Sequence, residues 1–258
     1  MRENRTQRLL REGQTAVGAW VVGSEPTTTE LLADVGFDFL VVDTEHAPQS
    51  PLSVQAHFMA LEGSQATPMA RVLWNDFVRV KQLLDLGAQG IVFPWVSTPE
   101  HARQAVAATR YPPQGLRGWG PRRAIRYADD ALDYYRHAAE SILVLCQIET
   151  REALDDLHAI AAVEGVDALM IGPADLSIAL GVPFDLDAPA FADAVAQVRD
   201  AAQEAGIAFG VITSGAGPAR RWMAEGARLV VAGSDDALLR MKARETLDEI
   251  REAMGDEP

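Results

Sequence analysis

The sequence predicts a single α/β domain in which eight parallel strands close into a modified TIM (β/α)₈ barrel. Three observations predict this fold. The chain has 258 residues, which is the length of one such barrel. Short apolar runs alternate with longer helical patterns from end to end, without a linker, repeat or low-complexity segment. Hydrophobic residues make up 48% of the chain, which is enough to fill a large core. We therefore expect residues 1–258 to form one domain.

Eight candidate strands follow one another along the chain. They comprise residues 17–22, 37–43, 69–72, 90–94, 142–148, 168–171, 208–212 and 229–232. The segments between them place apolar residues three and four positions apart, as helices that cover a barrel do. The alternative is an open doubly wound sheet. Such a sheet usually carries a glycine-rich fingerprint after its first strand, and residues 22–26 do not form one.

Residues 111–127 form one long irregular stretch that is rich in Pro, Gly and Arg. Loops of this length in a compact domain are usually functional or mobile. We therefore expect this stretch to lie near a site.

The composition of the chain argues against nucleic acids and membranes as binding partners. The formal net charge is −14, whereas nucleic-acid binding requires a basic patch. No run of about 18 apolar residues could cross a membrane, and residues 1–14 lack the apolar segment of a secretory signal. A single cysteine, Cys146, excludes an intrachain disulfide and suits a reducing compartment. We therefore expect a cytoplasmic protein with small-molecule partners and with neither nucleic acid nor membrane as a partner.

Polar side chains follow the ends of several predicted strands, where the active site of such a barrel lies. They are residues 43–46 after the second strand, Arg71 at the end of the third, Gln147 and Glu149 at the end of the fifth, and Asp175 after the sixth. Trp20 lies in the first strand. Acid, imidazole, guanidinium and amide groups would therefore meet at one face of the barrel. This arrangement predicts a polar site on an apolar scaffold.

Glu149 and Asp175 are the candidate metal ligands. Each follows an apolar strand, where an unpaired buried charge would be costly. Two carboxylates, together with water and a chelating substrate, suit Mg²⁺ or Mn²⁺, which prefer oxygen ligands. The five scattered histidines and the lone cysteine do not suit zinc. Alternatively, either carboxylate caps a helix or pairs with an arginine, and the spacing leaves both interpretations open.

Two further features indicate an anionic substrate. The turn Gly172-Pro173-Ala174 opens a helix, whose free N–H groups and dipole favour a carboxylate, although it is also an ordinary strand-to-helix turn. Arg71 would be a poor core residue, but its guanidinium could hold a keto or enolate oxygen as charge develops there. The alternative role of Arg71 is a bridge between neighbouring carboxylates.

His46 is the candidate for proton transfer, because imidazole is the side chain that exchanges protons near neutral pH. Asp85, near the end of the helix after the third strand, could orient His46, or it could be a solvated surface charge. The other four histidines fall within helical patterns and are expected to face solvent. They are His57, His101, His137 and His158.

The two lysines limit the carbonyl chemistry that is open to this chain. A Schiff-base mechanism needs a lysine at a strand end, where burial makes the amine nucleophilic. Lys81 and Lys242 both lie inside helical patterns. An enzyme of carbonyl chemistry built on this sequence must therefore use a metal ion as its electron sink.

Several blocks of the sequence, in order and at characteristic spacing, resemble the HpcH/HpaI aldolases. The resemblance runs from residue 9 to residue 243, which is nearly the whole chain. The blocks are FDFLVVDTEHAP at 37–48, LLDLGA at 83–88, TRYPPQGLRG at 109–118, QIET at 147–150 and GPADLSIALG at 172–181. Together they are far more specific than any single block.

The resemblance implies a metal-dependent pyruvate aldolase. Such enzymes reversibly cleave 2-keto-3-deoxy or 4-hydroxy-2-oxo acids to pyruvate and an aldehyde through a metal-stabilised pyruvate enolate, with Mg²⁺, Mn²⁺ or Co²⁺ as the cofactor. The family is typically a homo-hexamer of modified TIM barrels, in which the C-terminal helix packs on a neighbouring subunit.

The resemblance also implies a role for each candidate residue. Glu149 and Asp175 would bind the metal, and the amides of Ala174 and Asp175 would receive the substrate carboxylate within the Gly172-Pro173 turn. Arg71 and Gln147 would contact the pyruvyl group, and Trp20 would lie near the aldehyde. His46, paired with Asp85, would work with a metal-bound water as the base for proton transfer.

Departures from the family pattern leave the aldehyde open. Thr44 stands where glycine is common, and residues 118–123 and 210–214 differ where the aldehyde is expected. A citrate-lyase-like or malyl-CoA-type lyase of the same superfamily is the nearest alternative, although it should need a basic site for the CoA phosphates. A phosphosugar isomerase is a less favoured one, suggested by Gly215, Gly217 and Gly233-Ser234 where barrels often bind phosphate. A binding protein without turnover is the third.

Overall fold

The computed structural model describes residues 3–127 and 130–254. In this part of the chain, eight parallel strands form a closed barrel in the order of the sequence. The strands are β1 Ala16–Val21, β2 Phe39–Asp43, β3 Thr67–Arg71, β4 Gly90–Phe93, β5 Leu143–Ile148, β6 Ala168–Ile171, β7 Ala208–Ile212 and β8 Leu229–Ser234. Each predicted strand end lies within two residues of the observed one. The predicted TIM barrel is confirmed.

Helices surround the barrel and connect its strands. They are α1 Arg5–Arg11, α2 Pro26–Val35, α3 Pro51–Ala60, α4 Phe77–Asp85, α5 Pro99–Thr109, α6 Ala131–Ser141, α7 Arg151–Asp155, α8 Leu157–Ala161, α9 Pro173–Ala179, α10 Pro189–Glu204, α11 Ala216–Ala224 and α12 Asp235–Met254. Proline opens α2, α3, α5, α9 and α10. Its fixed φ and missing N–H suit the first helical position, so these prolines set where the helices begin.

The core has two layers because successive side chains of a strand point to opposite faces. One buried cluster fills the barrel and includes Phe39, Val41, Met69, Leu145 and Met170. A second, larger cluster lies between the strands and the surrounding helices. Gly18 makes room for the first cluster, since a Cβ there would lie 2.4 Å from the ring of Phe39.

The N-terminal end of the barrel is closed by α1 and the residue before it. The Asn4 side chain donates hydrogen bonds of 2.8 Å to the carbonyl oxygens of Gln89 and Ser141, which precede β4 and β5. The Thr6 amide donates to the hydroxyl of Thr67, the first residue of β3. Because α1 and Asn4 close this end, the C-terminal end of the strands is the one that can hold an active site.

The last helix, α12, is twenty residues long and exposes apolar side chains over much of its length. They are Leu239, Met241, Leu247, Ile250 and Met254. Its expected packing on a neighbouring subunit stays a prediction. No helix among the described residues is both long and apolar enough to cross a membrane.

Candidate active site

Arg71 and Asp43 form the centre of the polar cluster at the C-terminal ends of the strands. They are the last residues of β3 and β2 and lie opposite each other in the parallel register. The guanidinium donates from Nε to Asp43 Oδ1 at 2.9 Å and from Nη2 to Oδ2 at 2.6 Å. Its Nη1 lies 3.1 Å from Glu45 Oε2. Two parallel bonds of this kind fix the plane of a guanidinium, so Arg71 is held rigidly.

Asp43 and Glu45 are site residues that the sequence interpretation did not single out. In the sequence, residues 43–46 predict a polar segment, in which only His46 has a stated role. The signal that could have found Asp43 is its place at the end of β2 beside Arg71 at the end of β3. The bridge between carboxylates, the alternative weighed for Arg71, is therefore present in the structure. It does not exclude a role in binding, because guanidinium carries five N–H donors.

Trp20 lies against Arg71, as expected for one site. The centre of its ring is 4.7 Å from the guanidinium carbon, a distance typical of a cation–π contact. Burial by itself disfavours the charge on Arg71, but the hydrogen bond to Asp43 and the negative charges of Asp43 and Glu45 raise the pKa of Arg71 above its ordinary value. Arg71 is therefore a permanent, buried cation in this site.

Glu149 is held in the same end of the barrel by two donors. Its Oε1 accepts from the backbone N–H of Trp95 at 2.7 Å, and its Oε2 accepts from Gln147 Nε2 at 2.6 Å. Trp95 has a φ of 54°, which is uncommon for a residue other than glycine. Gly172 is required beside them, since a Cβ there would lie 2.4 Å from Glu149 Oε2. Backbone strain and a missing side chain thus both serve to place Glu149.

The carboxylates of this region outnumber its cations. Burial raises the pKa of Glu149 to about 7, and the negative charges of Asp175 and Glu45 add to the shift. Burial also raises the pKa of Glu45, although Arg71 opposes it, and Asp43 and Asp175 raise it further. Burial, the larger cause, and this repulsion both disfavour the charged carboxylates, and a bound cation would relieve both.

The residues fit a divalent cation that is only partly coordinated by protein. No group of three or more His, Cys, Asp or Glu side chains that could hold a metal occurs in the described part of the chain. Glu149 and Asp175 would therefore need water and substrate to complete an octahedron, which is the way in which Mg²⁺ is usually bound. The buried carbonyl oxygen of Gln147 has no hydrogen-bond partner among the described residues and offers a further acceptor.

Asp175 lies in the first turn of α9, next to the turn that was expected to bind a carboxylate. The helix begins at Pro173, and the residue before it, Gly172, has no side chain to cap the first amides. Ala174 is exposed and Asp175 is half-buried. The amides of both residues belong to the first turn, whose N–H groups have no partner within the helix.

His46 lies at the rim of this cluster. Its side chain is 67% exposed, and Nε2 lies 3.8 Å from Glu45 Oε2. Its backbone N–H points toward Asp43 Oδ1 at 3.4 Å. The imidazole is therefore near the carboxylates and accessible to a substrate.

Asp85 does not meet His46 within one chain. Since α4 leads from the end of β3 back to the start of β4, its last residue, Asp85, lies at the N-terminal end of the barrel. There it accepts a hydrogen bond from Arg117 at 3.0 Å. A pairing of Asp85 with His46 therefore requires a second copy of the chain.

Three further expectations have clear outcomes. The stretch 111–127 follows α5 and lies at the N-terminal end, where Arg123 donates to the carbonyl oxygens of Leu86 and Phe58, so in one chain it is not near this site. His57 was expected to face solvent, which is wrong, because it is buried on α3. Both lysines lie in helices, α4 and α12, as predicted.

Comparison with known proteins agrees with this geometry. Residues 16–241 match the sequence profile of the family described as HpcH/HpaI aldolase/citrate lyase. A 5-keto-4-deoxy-D-glucarate aldolase of Shigella dysenteriae serotype 1 is 38% identical over 245 residues, covering 95% of this chain and 96% of that protein.

Solved structures give the same result. An HpcH/HpaI aldolase/citrate lyase family protein from Burkholderia cenocepacia J2315 superposes with a TM-score of 0.91 at 34% identity, covering 95% of this chain and 98% of that one. The citrate synthase SbnG superposes with a TM-score of 0.88 at 27% identity, covering 98% and 100%. The chain therefore belongs to the HpcH/HpaI aldolase/citrate lyase family, and its predicted class, a carbon–carbon lyase of the aldolase type, is confirmed.

Proposed function

We propose that this protein is a divalent-metal-dependent aldolase that reversibly cleaves 4-hydroxy-2-oxo acids to pyruvate and an aldehyde. The observation that carries the proposal is the excess of buried carboxylates around Arg71 at the C-terminal ends of the strands. Because the Shigella dysenteriae relative is named for 5-keto-4-deoxy-D-glucarate, this acid is the first substrate to test.

Glu149 and Asp175 are the proposed metal ligands, and Mg²⁺, Mn²⁺ and Co²⁺ are the candidate ions. When bound, such an ion acts as a Lewis acid that polarises the 2-keto group. Two features support this assignment. The raised pKa of Glu149, about 7, indicates a carboxylate that lacks a positive partner. The donors Trp95 N–H and Gln147 Nε2 orient both of its oxygens.

Arg71 binds the pyruvyl oxygen in this proposal. Three of its N–H directions are taken by Asp43 and Glu45, which leaves two donors of the five for substrate. As the bond between C3 and C4 of the substrate breaks, its electron pair moves into the enolate of pyruvate and negative charge grows on the 2-keto oxygen. A guanidinium that is already fixed in place stabilises that charge without reorganising. Gln147 lines the same pocket.

The substrate carboxylate binds at the start of α9. The amides of Ala174 and Asp175 donate to it, and the helix dipole adds a partial positive charge. Gly172, which precedes Pro173, has no side chain that could cap these amides. Trp20, which packs on Arg71, forms the wall toward the aldehyde.

His46 moves the proton. During cleavage it takes the proton from the 4-hydroxyl group, so that the aldehyde carbonyl can form, and the enolate then takes a proton from solvent at C3 to become pyruvate. In the direction of synthesis C3 loses a proton to form the enolate, and His46 returns its proton to the new 4-hydroxyl group. Its exposure at the rim, beside Glu45, supports this role. The assistance of Asp85 belongs to an assembly, which we propose to be a homo-hexamer joined in part through the apolar side chains of α12. The cytoplasmic location stays a prediction.

A citrate-type carbon–carbon reaction is the second candidate, because the citrate synthase SbnG has the same fold over nearly its whole length. A lyase that acts on CoA esters needs basic groups for the CoA phosphates, and the net charge of −14 disfavours such a site.

The test is pyruvate release from 5-keto-4-deoxy-D-glucarate by EDTA-treated protein, with and without each metal ion. We expect added metal to restore cleavage by at least about 100-fold, because Lewis acid stabilisation is worth several kcal/mol. A Glu149→Ala/Asp175→Ala double variant should show no such restoration. Cleavage that does not depend on metal would overturn the assignment of these ligands. Failure on a broad panel of aldols would favour the citrate-type reaction.

A further inference from the structure

Three segments at the C-terminal end of the barrel are joined by buried and partly buried hydrogen bonds that the reaction itself does not use. They are the loop after β1, the segment after β2 that carries His46, and the first residue of α12. The connection passes through His57 of α3, which is completely buried, and through Gln49. We call Thr29, Gln49 and His57 the latch.

The latch holds the backbone of the loop after β1. Gln49 Nε2 donates to the carbonyl oxygen of Gly23 at 2.8 Å and lies 3.4 Å from that of Val22. The amides of the same two residues donate to the carboxylate of Asp235 at 3.0 and 3.1 Å. Both sides of this loop are therefore fixed, one by Asp235 and the other by Gln49.

His57 in turn fixes Gln49. The ring Nε2 lies 3.3 Å from Gln49 Oε1, and Nδ1 lies 2.7 Å from the hydroxyl of Thr29. An amide oxygen only accepts, so Nε2 carries the proton and Nδ1 accepts from Thr29. Burial lowers the pKa of His57, although the negative charges of Asp235 and Glu25 and a hydrogen bond to the Gly23 backbone raise it. The neutral ring thus has a partner for each nitrogen.

We propose that His57 and Gln49 are positioning residues that hold the His46 segment against the loop after β1. Gln49 lies three residues after His46, and its backbone N–H donates to the carbonyl oxygen of Ala47 at 2.7 Å. Because the turn is this short, the place of the Gln49 side chain determines where the segment runs. The inference rests on the proposed function, in which His46 exchanges the proton of the 4-hydroxyl group.

This role predicts different effects on two reactions that share the pyruvate enolate. Aldol cleavage needs His46 to take a proton as the bond between C3 and C4 breaks. In oxaloacetate decarboxylation the bond between C3 and C4 breaks as CO₂ leaves, its electron pair forms the enolate, and C3 then takes a proton. No base has to act before that bond breaks. A misplaced His46 therefore lowers cleavage more than decarboxylation, whereas a smaller fraction of folded protein lowers both equally.

The experiment compares His57→Leu with His57→Gln in the full-length, metal-loaded protein. Glutamine keeps a donor toward Gln49 and an acceptor toward Thr29, whereas leucine keeps neither. His158→Leu is the matched control, since His158 is 72% exposed on α8. Two quantities are measured: the ratio of cleavage to decarboxylation, and hydrogen–deuterium exchange of the amides of residues 22–24 and 44–49.

We expect His57→Leu to lower the ratio about 10-fold, because small displacements of a reacting group have large effects on rate. It should also speed exchange in both segments, while His57→Gln and His158→Leu leave both quantities as in the wild type. Gln49→Leu, a milder change in a half-buried residue, should repeat the pattern if His57→Leu does not fold.

Three outcomes would overturn the latch: an unchanged ratio, unchanged exchange, or a His57→Gln variant as impaired as His57→Leu. If the wild type cleaves no aldol, the proposed function fails on its own, and the latch is then decided by exchange alone.

Discussion

Two arginine–aspartate pairs with buried guanidinium groups lie at opposite ends of this barrel, and their surroundings differ in kind. Arg71 pairs with Asp43 at the C-terminal ends of the strands through two hydrogen bonds, and Glu45 adds a third contact. Arg117 pairs with Asp85 at the N-terminal end through one bond of 3.0 Å. Both guanidinium groups are buried, so the difference lies in what surrounds them.

At the N-terminal end, aromatic groups surround Arg117. Its guanidinium carbon lies 4.6 Å from the ring centre of Tyr111 and 5.5 Å from that of Tyr134, whose hydroxyl accepts a bond from Nη2 at 3.0 Å. Its Nε and Nη1 have no hydrogen-bond partner among the described residues. The ring faces compensate part of that loss. Here donors exceed acceptors, and rings cover the guanidinium of Arg117.

At the C-terminal end the balance is reversed, because acceptors exceed donors. The negative charges of Asp43, Glu45 and Glu149 act on the one guanidinium of Arg71, and that of Asp175 acts on Glu45 and Glu149. Burial, together with the charges of Asp175 and Glu45, raises the pKa of Glu149 to about 7. A pair that only stabilises the fold can be locally neutral and closed. A site that must bind a cation keeps an uncompensated negative charge, at the expense of stability in the absence of that cation.

The largest predicted effect is on catalysis, and it follows from substitution of Arg71. Arg71→Lys keeps the charge but loses the planar fork that holds Asp43 and reaches the substrate. We expect kcat/KM for pyruvate release to fall about 1,000-fold, since preorganised donors at a developing oxyanion contribute this much. Metal affinity, measured by calorimetry, should stay near the wild-type value. Arg103→Lys, in an exposed pair with Glu100, is the matched control. Activity of Arg71→Lys within about three-fold of wild type would contradict the role of Arg71.

The strands of this fold could be predicted from sequence because each is an apolar run bounded by polar or turn residues. The rule that barrel sites lie at strand ends singles out Trp20, Arg71, Gln147, Glu149 and Asp175, whose roles in the reaction stay predictions. It could not find the Arg71–Asp43 contact, since the register between β2 and β3 depends on closure of the whole barrel. The strained amide of Trp95 that holds Glu149 is likewise a property of the folded loop.

The prediction that His57 faces solvent is wrong, and the pairing of Asp85 with His46 stays a prediction. Asp85 and His57 both lie on helices, where the sequence pattern does not say which neighbour a side chain meets. For His57 a signal existed: Val54, His57 and Phe58 are all buried on α3, and their spacing of three and four places them on one face. For Asp85 the direction of the helix decides, since its last residue returns to the start of the next strand.

The second prediction concerns whether His46 of one copy of the chain lies beside Asp85 of another copy. His46→Ala and Asp85→Asn should each lower cleavage about 100-fold if both residues serve one proton transfer. Each chain carries His46 at the C-terminal end of its barrel and Asp85 at the N-terminal end of its barrel. If a site takes His46 from one copy and Asp85 from another, random co-assembly of the two variants leaves about one site in four intact.

The measurement is the activity of co-expressed, differently tagged variants purified as mixed assemblies. Recovery to about a quarter of wild type would join the two ends in one shared site. If no activity returns, Asp85 does not act on a neighbour's His46, and the Arg117–Asp85 pair then serves stability alone. Each variant assembled separately provides the baseline.

The smallest predicted effect tests the surplus of negative charge directly, through the pH dependence of stability without metal. Burial raises the pKa of Glu149 from its ordinary 4.5 to about 7. A carboxyl group with a raised pKa favours the folded state fully below its ordinary pKa, and it loses that contribution as pH rises through the folded value. In EDTA, wild type should therefore lose stability relative to Glu149→Gln between pH 5 and pH 8, by on the order of 2 kcal/mol. Urea unfolding at each pH gives the free energy of unfolding of wild type and of Glu149→Gln. In the difference between the two, the contributions of all other titrating groups cancel.

Excess Mg²⁺ or Mn²⁺ at pH 8 should reverse the sign of this difference, because an ion that binds only the folded wild type stabilises it. A difference that stays flat with pH would mean that Glu149 is already compensated, and the contrast between the two ends would then not be one of charge.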